Sequence, residues 1–128
     1  MTDSLRLELL LPERVRRGER VPITLRVSNT SGRPMVLYLT GRPIAFDVVI
    51  TRGGREPVWR RLHGQNIPAI LQVRTLQPGE RLELAERWDQ RDQSGARVAP
   101  GRYAAEGVLL TDGEPLRTDV VPFEITGR

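Results

Sequence analysis

The chain has 128 residues, 38% of them hydrophobic, with 20 basic residues against 16 acidic ones for a net charge of +4, and no cysteine. That length suits one domain with a single core, and the missing cysteine excludes disulfides, thiolate nucleophiles and thiolate metal sites, in keeping with a cytoplasmic address. Every basic residue is arginine, so Schiff-base or general-base chemistry by lysine is excluded as well.

The first stretch, LRLELLL, places Leu5, Leu7, Leu9 and Leu11 on one face and Arg6 and Glu8 on the other, the alternation of a half-buried strand. No basic run precedes it and no apolar run reaches the roughly 18 residues of a membrane span, so neither export nor membrane insertion is expected. VPITLRVS then sets Val21, Ile23, Leu25 and Val27 inward before the turn residues NTSGRP. MVLYLT and AFDVVIT follow, and in RGGREP the Gly-Gly pair predicts a hairpin turn into VWRR. Beyond the polar LHGQNIPA come ILQVRT, the turn LQPGER, and LELAERW with Leu82, Leu84 and Trp88 on one face. The closing pair, RYAAEGVLL and TDVVPFEIT, is joined through TDGEPL, where Asp-Gly signals a hairpin. Pro122 cannot donate to a ladder, which predicts an edge position for the last strand.

About nine short strands and no competing helical period predict an all-β chain, an immunoglobulin-like antiparallel β-sandwich forming a single domain over residues 1–128. The repeated G-E-R at Gly18 and Gly79 is shared turn chemistry. If successive strands alternate in direction, one end of the sandwich collects PERVRRGER, GRPI, LHGQNIPA and DQRDQSGARVAPG. The other end collects NTSGR, RGGREP, LQPGE and TDGEPL. Binding is expected at the end with the longest loops.

Residues that could carry catalysis are few. His63 is the single histidine and sits in a polar loop beside Gly64, while Ser4, Ser28, Ser31 and Ser94 lie in no nucleophile-elbow pattern. Asp89 and Asp92 are too sparse for a calcium loop and have Arg91 between them, so they read as turn residues, with Gly95 and Gly101 supplying unusual backbone conformations. No catalytic residue, metal site or cofactor is therefore expected, and the chain reads as a non-enzyme. Trp59, Trp88, Phe46, Tyr103 and Phe123 fall on inward positions and read as core. Arginines mostly alternate with acids, as in ERLELAERWDQRD, which argues against nucleic-acid binding. Arg14, Arg16, Arg17 and Arg20 form the densest basic cluster, either a solvated turn or a rim for an acidic protein partner.

Taken together, GERVPITLRVSNTSGRP, YLTGRPIAFDVVITRGGREPVWRR and LQPGERLELAERWDQRDQSGARVAPGRY resemble the BsuPI-type intracellular proteinase inhibitor domain, over roughly Leu5 to Leu110. The W-D, glycine and G-x-Y part also resembles immunoglobulin-like modules of flagellar hook-assembly proteins. The resemblance implies a sandwich that inhibits intracellular subtilisin-type serine proteases, with no reactive residue to carry over and no oligomeric state implied. An inhibitory loop must be extended and ordered before it binds, and proline is the available stiffener. The candidates are Arg42 with Pro43, and the stretch Gln65, Asn66, Ile67, Pro68 to Ile70, in which Ile67 would anchor and Pro68 would resist cleavage. Ile67 packing under its own loop is an equal alternative. A non-inhibitory protein-interaction module using the long-loop end, with its arginines, is the other reading of function.

Overall fold

A computed structural model describes residues 5–53 and 56–127. Ser4 and the Gly-Arg pair at the tip of the expected RGGREP turn lie outside the described residues. The strands are β1 (Leu5–Leu10), β2 (Arg14–Arg16), β3 (Val21–Asn29), β4 (Met35–Thr40), β5 (Phe46–Arg52), β6 (Pro57–Arg60), β7 (Leu71–Leu76), β8 (Arg81–Trp88), β9 (Gly101–Leu109), β10 (Leu116–Arg117) and β11 (Val121–Thr126). Eleven strands are described where about nine were expected, because β2 and β10 are too short to show an alternation in the sequence.

One sheet runs β1-β3-β8, and the other runs β2-β11-β9-β5-β6 with β10 also on β9. All described pairings are antiparallel except β2 with β11. The two sheets pack face to face. Val21, Ile23, Leu25 and Val27 on β3 and Val48, Ile50, Ala105 and Leu109 on β5 and β9 are buried in one apolar cluster. Each fully buried Val, Leu or Ile contributes about 1.5–3 kcal/mol. Gly107 marks a close approach of the two sheets, since a Cβ there would meet the side chains of Leu9 and Leu25 at 3.0 and 3.1 Å. Of the five aromatics expected inside, Trp59, Trp88, Tyr103 and Phe123 gather near one end of this core, while Phe46 lies at the other, opposite Leu109. Trp88 lies 5.9 Å from Trp59, 6.4 Å from Tyr103 and 6.3 Å from Phe123, ring centre to ring centre.

Two expectations are corrected. β11 is not an edge strand: it stands between β9 and β2. Proline is nevertheless tolerated at Pro122, because β2 covers only Glu124 to Thr126. The Glu124 N–H points outward to the Glu13 carbonyl, so the Pro122 nitrogen, two residues earlier, faces the same side before β2's pairing begins.

The loops do not sort by simple alternation either. β4 and β7 belong to neither sheet; they form a ribbon from the Asn29 corner of one sheet to the Leu109–Thr111 corner of the other. The chain crosses between sheets on β4 and returns on β7 at the same end. Hence the loops 41–45 and 61–70 share that end with 30–34, 77–80 and 110–115. The 17–20 and 89–100 loops lie at the opposite end with the Arg52 end of β5, where Val21 pairs with Trp88, Gly101 with Ile125 and Arg52 with Tyr103.

Candidate interaction surface

The 61–70 loop is fixed from below by Asp47, buried on β5. One of its carboxylate oxygens accepts the Val48 and Leu62 N–H groups at 2.9 and 3.0 Å, and the other accepts Arg60 Nε and an Arg60 terminal N–H at 3.3 and 3.2 Å. Arg61 lies with its guanidinium carbon 3.9 Å from the centre of the Phe46 ring, donates to the Phe46 carbonyl at 2.8 Å and pairs with Glu86 at 2.7 Å. Tight turns follow, His63 N–H to Arg60 and Gln65 N–H to Leu62. The loop then joins its neighbour, because Gly41 N–H donates to the Ile70 carbonyl at 2.8 Å.

The 41–45 loop turns on Gly41, whose φ is +92° and whose missing Cβ would lie 3.0 Å from the Pro43 carbonyl oxygen. Only glycine fits there. The Arg42-Pro43 peptide is cis. The two proline loops thus meet around a cavity of about 250 Å³, which Arg42, Pro43, Gln65, Asn66, Ile67 and Pro68 all line. Ile67 is half-buried against it, whereas Gln65, Asn66, Pro68 and Ile70 are exposed.

Beside these loops lies a feature that the sequence reading missed. On the outer face of the ribbon, Val36, Tyr38 and Thr40 of β4 stand opposite Thr75, Val73 and Leu71 of β7. Its large members, with Ile70, are 39 to 57% exposed, and they include all the exposed large apolar side chains among the described residues except Val120. The face carries no charge. Leu37, Leu39 and Leu76 fill the inner side of the ribbon. Part of the signal was present in the sequence, since MVLYLT is apolar on both strand faces where a half-buried strand shows polar residues on one, whereas LQVRT alternates, with Gln72 and Arg74 on its second face.

Arg14, Arg16, Arg17 and Arg20 are exposed at the far end. Arg14 and Arg16 belong to β2 rather than to a loop, and Arg14 pairs with Glu124 at 3.5 Å. The basic cluster and the proline loops therefore occupy opposite ends. The 89–100 loop is also at the basic end, and Asp92 organises it by accepting from the Ser94 N–H, the Ser94 hydroxyl and the Ala96 N–H at 2.9, 2.6 and 3.0 Å. The Ser94 hydroxyl, with the Ala96 N–H, holds the Asp92 carboxyl below the usual aspartate range. Gln90, with φ of +62°, is buried beneath the loop. Among the described residues no three of His, Asp or Glu gather as a metal site.

The sequence pattern of the BsuPI family, described as intracellular proteinase inhibitor, matches residues 10–114. The chain belongs to the BsuPI intracellular proteinase inhibitor family. The match takes in the ribbon, both proline loops and the 89–100 loop, so every element of the candidate surface falls within the BsuPI domain. Among curated proteins none matches the chain.

Similar solved structures include the sporulation control protein Spo0M from Bacillus subtilis, at 14% identity and a TM-score of 0.55, covering 99% of this chain and 51% of that one. The alkylpurine DNA glycosylase AlkC of Pseudomonas fluorescens, bound to DNA containing an abasic site analog, gives 19% identity and 0.53, covering 97% of this chain and 31% of that one. A β-glucosidase from Listeria innocua in complex with gluconolactone gives 16% and 0.52, covering 96% of this chain and 16% of that one. The chain spans about half or less of the length of these proteins, and the likeness is one of fold.

Proposed function

We propose that this chain is a cytoplasmic inhibitor of subtilisin-type serine proteases that blocks the active-site cleft without a covalent bond, using the end formed by the ribbon and the two proline loops. Family membership supplies the inhibitor reading. The observation that carries its placement is the uncharged ribbon face beside two loops already ordered by Asp47, Arg61 and Gly41. Pre-ordered apolar anchors lose little conformational entropy on binding, which suits an inhibitor without disulfides.

We read the fold as a single immunoglobulin-like domain. In support, the Tyr103 hydroxyl at the start of β9 donates to the Ala99 carbonyl, the corner that such sandwiches use at the equivalent strand.

The test is a titration of the chain against a purified intracellular subtilisin-type protease. Stoichiometric loss of peptidase activity at micromolar concentration is expected, and undiminished activity would overturn the reading. Ile67→Asp should weaken inhibition, and a fully active Ile67→Asp variant would remove the 61–70 loop from the contact.

A further inference from the structure

The β7 strand has an open edge whose backbone polarity can be read from its bonds. Gly41 N–H donates to the Ile70 carbonyl, and Asp112 N–H reaches the Tyr38 carbonyl from the other side of β4. With the register Tyr38 to Val73, these two bonds place the N–H and C=O groups of Gln72 and Arg74 toward β4. Those of Leu71, Val73 and Thr75 point away. Among the described residues β7 pairs with β4 alone, and no backbone bond covers that outer edge. The same three residues carry their side chains on the uncharged face, while the other face of β7 presents Arg74, exposed and without an ion pair among the described residues.

We infer that β7 is a strand-addition site that takes an extended segment of the protein partner in which apolar residues alternate with acidic ones. Such a segment would bond to the outward N–H and C=O groups of Leu71, Val73 and Thr75, lay its apolar residues beside Val73 and Tyr38, and bring a carboxylate to Arg74. A second copy of this chain fits less well, because β7 contains Arg74 but no acid with which to answer it. The inference rests on the reading of the partner as a protease only for the identity of that segment.

The experiment uses the full chain and a capped peptide of alternating valine and glutamate, with amide hydrogen exchange and chemical shifts followed by NMR. The amides of Leu71, Val73 and Thr75 are expected to become protected on saturable binding, while Gln72 and Arg74 are protected already. Val73→Pro removes an outward N–H and leaves the β4 ladder intact, so it should keep the fold and weaken binding about tenfold. Arg74→Glu should weaken binding to this peptide and favour a valine-lysine peptide instead.

Absence of protection, equal binding of both peptides by the native chain, or protection that rises with protein concentration alone would overturn the inference. If the native chain fails to inhibit the protease yet protects these amides with the peptide, the inhibitor reading falls and the strand-addition site stands. If the native chain and Val73→Pro inhibit equally, the inhibitor reading stands and the strand-addition site falls.

Discussion

Tyr38 and Val73 stand directly opposite each other across the β4–β7 ribbon, 49% and 53% exposed, on a face without a charged residue. A cross-strand pair of an aromatic and a β-branched residue contributes about 0.2–1 kcal/mol. Tyr38→Ser should therefore lower stability by no more than about 1 kcal/mol, while reducing inhibition much more strongly. Denaturant midpoints and inhibition constants measured on the same preparation check this, and a variant that keeps full inhibition would place the contact elsewhere.

Asp47 is the second point of leverage, because a single buried carboxylate serves both β5 and the entry to the 61–70 loop. Asp47→Ala strands the Val48 and Leu62 N–H groups and should cost about 2–6 kcal/mol, at about 1–3 kcal/mol for each unsatisfied buried group. Asp47→Asn keeps an acceptor for both amides and loses only the charge facing Arg60. Arg60 is half exposed, so that pair contributes little and the asparagine variant should be much the milder. Urea unfolding of the two variants gives the comparison.

The alternation in the sequence made the sheets legible, because β3, β5 and β9 each bury one full face and a strand that buries one face must alternate. Asp89 and Asp92 were legible as turn residues for a similar reason, since short side chains that bond their own backbone are the ordinary content of such a loop. The ribbon was not legible as a surface. Val36, Tyr38, Leu71 and Val73 look like core residues of ordinary strands until β4 and β7 leave both sheets, and that departure also upset the assignment of loops to ends. Nor does the sequence mark Gln90, whose partners lie more than seventy positions away.

Gln90 yields a prediction of its own. Its amide donates to the Arg16 and Glu19 carbonyls at 2.8 and 2.7 Å, and its oxygen accepts the Gly18 N–H at 3.1 Å, so one side chain holds the whole β2–β3 turn. Gln90→Ala should cost about 2–3 kcal/mol, as several partly buried backbone groups lose a net 0.5–1.5 kcal/mol each. Gln90→Glu should fail as well, because a carboxylate cannot donate to two carbonyls. Thermal unfolding separates the effect from function, for the proline loops lie at the other end and inhibition by the folded fraction should be unchanged.

Tyr103 links stability to alkaline pH. Burial pushes its hydroxyl above the usual tyrosine range, against the opposing influence of the Arg52 guanidinium, whose carbon lies 5.5 Å from the ring centre. The folded state therefore holds the proton more tightly than the unfolded chain does. The sign follows: this contribution is fully present below the unfolded value and is lost as pH rises through the folded one. Tyr103→Phe removes both the bond to the Ala99 carbonyl and the ionisation, and should cost about 1 kcal/mol near neutrality. The difference between native chain and variant isolates Tyr103. That difference should hold below about pH 10, the ordinary tyrosine value, and shrink as pH rises above it. A difference in urea midpoint that stays constant or grows over that rise would mean that the hydroxyl is not held as a proton donor at the start of β9.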